Sequence, residues 1–171
     1  MSGFKSKNLN GTTYDMRHLT NHTMPVTHGQ YTYNVGVHYS CHCFTRESMP
    51  GDPLHYLYYH DNESRVFDVD RYNLSMSLPA YIADLPNHDV YHDAKDTFII
   101  IRINGGDYAI FLRIHRADRS ANHDVIMRVK TAHLRDDFHI RKPAYKFSRV
   151  VHLTAKGHPL PKQNKQAIIR V

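Results

Sequence analysis

The sequence has no tryptophan and only two cysteines, Cys41 and Cys43. It has no apolar run approaching the roughly 20 residues that a membrane-crossing helix needs. Its first residues lack the hydrophobic stretch of a secretory leader. These absences exclude a disulfide-framework fold and a helical membrane protein. They set the expectation of an intracellular, cytoplasmic chain with no membrane partner. A disulfide between Cys41 and Cys43 would be strained at that spacing. Repeats, low-complexity tracts and linker-like stretches are also missing. The 171 residues therefore read as a single domain, 1–171, with a loose start over residues 1–13.

What the sequence does hold is basic and histidine-rich. Lys plus Arg number 22 against 16 acidic residues, a net charge of +6 with His neutral. Such a balance favours RNA or another polyanion as partner, through counterion release and electrostatic steering. The 15 histidines add charge in mild acid. The 12 tyrosines serve a core or stack on bases.

The chain is organised around Thr97–Arg135. Three β-branched or aromatic runs, Thr97–Ile103, Tyr108–His115 and Asp124–Thr131, are separated by Asn104-Gly105-Gly106 and by a polar break. Asn-Gly and Gly-Gly supply the positive φ of a tight hairpin, so the pattern predicts an antiparallel meander. Strict alternation sends Val129 and Thr131 to one face, and Arg128 and Lys130 to the other. Gln30–Ser40 alternates as a half-buried strand and runs into Cys41-His42-Cys43. His55–His60 and Arg65–Val69 flank a turn at Asp61–Ser64. Asp70 is a candidate helix cap, and Pro79 suits the first turn of a second helix, Ala80–Leu85. Tyr14–Thr27 reads as loop with a short strand. Lys146–Thr154 reads as a strand, and Gln166–Val171 as a final edge strand. The expected fold class is α+β: a twisted, mainly antiparallel sheet of five to seven strands with one or two helices packed on one face.

Three constellations carry chemistry. Cys41 and Cys43 on an extended strand, with His42 nearby, offer zinc its preferred thiolate and imidazole ligands, though the second ligand pair of a structural site is missing. Without zinc the sequence implies no cofactor, and the two thiols are ordinary buried strand-end residues. The second is a repeated His-x-Thr, His18-Leu19-Thr20 and His152-Leu153-Thr154. On facing strands, paired imidazoles act as acid and base in two-histidine phosphoesterases on cyclic nucleotides. His38-Tyr39-Ser40 has the same spacing, so the motif is not selective. The third is Arg71, Ser75, Lys130, Thr131, His133 and Arg135, with His42. Cleavage of RNA through its 2′-hydroxyl needs proton-transfer groups and cations for the phosphorane, and no metal. The same side chains are also what a solvated strand end and helix face carry.

One resemblance runs through the order of these elements. Arg71-Tyr72-Asn73-Leu74-Ser75 and Leu78-Pro79 precede Phe98–Ile103, Tyr108–Ile114 and Val125–Val129, closing on Thr131-Ala132-His133-x-Arg135. That order resembles the phage-borne branch of the RelE/barnase/EndoU/colicin-like ribonuclease superfamily. The Ser40–Thr45 segment is similar to small prophage proteins labelled "heat-shock protein C". The resemblance implies metal-independent RNA cleavage or RNA binding in a toxin or anti-defence role, with Lys130, Thr131, His133, Arg135 and Arg71 as site residues. A non-enzymatic phage protein that binds and inhibits a host defence or polymerase protein fits the basic charge equally well.

Overall fold

The computed structural model describes residues 3–92, 97–103, 106–118, 122–135 and 144–160. In chain order its strands are β1 (Lys7–Leu9), β2 (Thr12–Tyr14), β3 (His22–His28), β4 (Tyr31–Tyr39), β5 (Thr45–Arg46), β6 (Leu57–His60), β7 (Glu63–Phe67), β8 (Asp89–His92), β9 (Thr97–Ile103), β10 (Gly106–Arg116), β11 (Val125–Arg135) and β12 (Tyr145–Lys146). The helices are α1 (Val69–Ser75), α2 (Leu78–Asp84) and α3 (Phe147–Ala155). The fold is α+β. Among the described residues one sheet has seven strands in the order β12-β8-β9-β10-β11-β4-β3, beside a three-stranded sheet, β5-β7-β6, and the β1-β2 hairpin.

The meander forms, β9 to β10 to β11, all antiparallel; the expected turn residues Asn104 and Gly105 lie outside the described residues. β4 then joins β11 in parallel, Val35 opposite Val125 and Tyr39 opposite Val129. Its alternation holds: Tyr33, Val35, Val37 and Tyr39 are buried. They share a face with Tyr108, Ile110, Leu112, Val125, Met127 and Val129, also buried. Helix α3 packs over this face through Phe147, Val150 and Val151.

Several expectations are corrected. Lys146–Thr154 is not a strand over most of its length, because Phe147, Val150 and Val151 recur at the spacing of one helix face and bury together. Asp68, not Asp70, caps α1: its carboxylate accepts the Arg71 N–H at 3.0 Å. Pro79 does sit in the first turn of α2, which begins at Leu78. Phe4 packs edge-on against Phe44, and the Lys7 ammonium donates to the Leu57 carbonyl at 2.6 Å. Tyr14–Thr27 contains all but the last residue of the full-length strand β3. The segments 136–143 and 166–171 lie outside the described residues. Among the described residues, no helix is long and apolar enough to cross a membrane.

Candidate functional site

Cross-strand pairing decides which face each candidate residue occupies. Phe111 stands opposite Thr131, while its neighbour Leu112 stands opposite Val129. Lys130 therefore has no opposite residue in β10; it is the extra residue of a β-bulge. The expectation that Val129 and Thr131 share a face is overturned by this one residue. Val129 stays with the core, and Thr131, His133 and Arg135 are turned onto the face of Phe111. Arg128, opposite Arg113, lies on that face too.

On this face the chemistry gathers. The His133 imidazole lies 19° from parallel to the Phe111 ring, centroids 6.0 Å apart. The Arg135 guanidinium stands 5.1 Å from the same ring centre. Arg135 Nε donates to His133 Nε2 at 3.2 Å. A guanidinium only donates, so Nε2 is the acceptor and the ring proton sits on Nδ1. Nδ1 lies 3.4 Å from Thr131 Oγ1, and the Thr131 hydroxyl donates to the His42 carbonyl, also at 3.4 Å. Both ring nitrogens are thus engaged. Burial first, then the Arg71 and Arg135 charges, lowers the His133 pKa to about 4. The ring is neutral at pH 7.

Beyond Thr131 lies a second imidazole. After Tyr39 the chain leaves the sheet in a single 3-10 turn, Cys41–Cys43, with Ser40 Oγ accepting the His42 N–H. His42 Nε2 lies 2.7 Å from Glu63 Oε2. Glu63 is placed by the β6-β7 turn, where Asp61 and Asn62 take φ of 46° and 64°. Two positive φ values define the turn that matches strand twist, and Asp and Asn tolerate them. The hydrogen bond from His42 holds the Glu63 carboxyl below its usual range, with Arg65 and Arg128 adding to it.

The remaining predicted residues divide cleanly. Arg71 reaches the site: its Nη1 donates to the Thr45 carbonyl at 2.9 Å, and its charge bears on His133. Lys130 lies between Val129 and Thr131 as the bulge residue. Ser75 does not reach it. It is fully buried, its hydroxyl donating to the Tyr72 carbonyl at 2.7 Å and meeting His18 Nε2 at 2.8 Å. The two His-x-Thr motifs do not face each other on strands. His18 and the end of its motif at Thr20 belong to a 3-10 turn beside α1, whereas His152 and Thr154 are on α3. His152 Nδ1 is 2.8 Å from the Tyr33 hydroxyl, at another part of the sheet. Cys41 and Cys43 do not share a strand face either. The Cys43 thiol donates to the Val129 carbonyl at 3.8 Å, and burial pushes it up to about 12.

Glu63 and Phe111 were not visible as site residues in the sequence. Glu63 reads as a turn residue and Phe111 as core. Only the bulge and the hairpin turn bring them to His133 and His42, and neither leaves a short-range motif.

An α+β protein with cations, an aromatic ring and two histidines around the bulge of the β10-β11 pair is the class defined so far. The chain belongs to the YjaZ family, whose model matches residues 6–156. No curated protein and no solved structure matches it. The family name states no activity.

Proposed function

We propose that this protein binds single-stranded RNA across the Phe111 face and cleaves it without a metal. The observation that carries the reading is the Phe111–His133–Arg135 stack, an aromatic and cationic platform next to Arg71 and Arg128. Bases stack on such rings, while guanidinium groups hold the backbone. The order of helices and meander that resembles the ribonuclease superfamily supports the same conclusion.

Of the two histidines, His42 is the acid–base group. Its imidazole is oriented by a carboxylate, the usual arrangement for accepting a proton, here from the 2′-hydroxyl. His133, kept neutral and bonded at both nitrogens, is a positioning residue that holds Arg135 against the ring. Arg71, Arg135 and Lys130 supply charge for the phosphorane, and Thr131 a hydroxyl. The free thiols fit a reducing, cytoplasmic setting. The test is cleavage of a short RNA in EDTA. Product that disappears in His42→Ala supports the reading; cleavage unaffected by His42→Ala overturns it.

A second reading, a phage protein that blocks a host protein without catalysis, is favoured by one observation. Met49, Leu54 and Tyr59, all between positions 49 and 59, are 64%, 81% and 68% exposed. It predicts that Leu54→Glu and Tyr59→Glu abolish host-protein binding while RNA binding persists.

A further inference from the structure

Cys41, His42 and Glu63 each bring one metal-competent atom to a single point. Sulfur, imidazole nitrogen and carboxylate oxygen all lie within 4.8 Å of one another. We propose that this trio is a zinc site with three protein ligands and an open fourth position. Thiolate with imidazole excludes magnesium and calcium, which take oxygen ligands, and zinc accepts this mixed set in tetrahedral geometry.

The local fold explains why neighbours in sequence converge. On a strand, residues 41 and 42 would point to opposite faces. The 3-10 turn brings them together instead, and its shape is pinned from two sides. Thr45 Oγ1 donates to the Cys41 carbonyl at 2.8 Å, and Arg65 Nε donates to Thr45 Oγ1 at 2.8 Å. The same turn sends Cys43 into the core, so the second thiol takes no part.

Metal entry requires a small adjustment. His42 Nε2 and Glu63 Oε2 are 2.7 Å apart, as a hydrogen-bonded pair. Ligand distances of about 2.0–2.2 Å at a tetrahedral angle set them roughly half an ångström further apart. The Glu63 side chain is 53% exposed beside a hairpin turn, so its carboxylate has room to swing. On binding, the Cys41 S–H bond breaks, sulfur ligates zinc, and the proton leaves to solvent. Thiolate and carboxylate together balance the ion's charge. Arg65 and Arg128, whose charges already bear on Glu63, favour an anion, hydroxide or a phosphate oxygen, as the fourth ligand.

The site stands independently of RNA binding; only its consequence rests on that reading. A bound ion would occupy the His42 nitrogen and the Glu63 carboxylate, so zinc would switch cleavage off.

The experiment is a titration of the full chain with Co²⁺ alone, read by thiolate-to-cobalt charge-transfer absorbance. One equivalent should develop the band, Cys41→Ser should abolish it, and Cys43→Ala should leave it. Glu63→Gln, on an exposed hairpin, should weaken Co²⁺ binding by at least about tenfold. No band in the parent protein, a band that survives Cys41→Ser, or an affinity unchanged in Glu63→Gln overturns the proposal. If circular dichroism shows that a cysteine variant does not fold, the Glu63→Gln affinity decides. RNA binding measured on the same samples reports separately, so a failure of one reading leaves the other standing.

Discussion

The Glu63 carboxylate lies 2.7 Å from His42 Nε2, across a gap of 21 positions in sequence. That contact fixes the orientation of the His42 imidazole. Glu63→Gln keeps the shape but offers the His42 ring a weaker, neutral acceptor. The expected result is a kcat lower by about 10–100-fold with KM unchanged, against about 10²–10⁴-fold for His42→Ala. Steady-state kinetics on an RNA oligonucleotide separates the two. A loss confined to KM would argue that Glu63 is a binding residue.

The half-buried His133 ring should make the protein less stable in acid. Its folded-state pKa is lowered to about 4 from the ordinary 6.5. The unfolded chain therefore takes up this proton first as pH falls. The stabilisation is complete above about pH 6.5 and is lost progressively toward pH 4. His18 and His38, each lowered mainly by burial, act in the same direction. The difference between the parent and His133→Gln isolates one contribution. The drop in melting temperature between pH 7 and pH 4 should be smaller in the variant.

Phosphate contact and base stacking have distinct signatures. Arg135→Ala should reduce the slope of log K against log salt by about 0.7, the value expected for one single-strand phosphate. Phe111→Leu should leave the slope unchanged and cost about 1–3 kcal/mol of affinity. Fluorescence anisotropy at several salt concentrations measures both. A salt slope that Arg135→Ala does not move would remove that side chain from the interface.

Deleting Lys130 is the sharpest test of the bulge. The pairs Phe111–Thr131 and Leu112–Val129 are already adjacent on β10, so a chain without Lys130 continues the ladder regularly with every face preserved. The deletion should fold cooperatively, with His133 still beside Phe111. Loss of folding would mean that the bulge supplies twist that the β10-β11 pair cannot do without.

How far the sequence reveals this arrangement depends on the range of the signal. The β4 strand was legible because Tyr33, Val35 and Val37 alternate against Asn34 and Gly36, and the meander because its turns carry Asn and Gly. Pro79 marked a helix start for a local reason. α3 misled because Val150, Val151 and Thr154 favour strands individually, while the Phe147–Val150–Val151 spacing, which decides the matter, needs a sheet face to bury against. The site was half legible. His42, Thr131, His133, Arg135 and Arg71 were named from residue type, and the structure gathers them. Their true neighbours, Glu63 and Phe111, depend on one inserted residue and one turn. Ser75 failed because an amphipathic helix can be placed on the protein from sequence, but not its rotation about its own axis.

The side-by-side, same-direction pairing of β4 with β11 has an outcome for biosynthesis. The hydroxyl at position 131 meets the carbonyl at position 42 only once 89 further residues have been translated. A nascent chain can complete the small sheet and the His42–Glu63 pair before the Thr131 contact exists. Two separately expressed pieces, divided between β8 and β9, should therefore regain cooperative melting only when mixed.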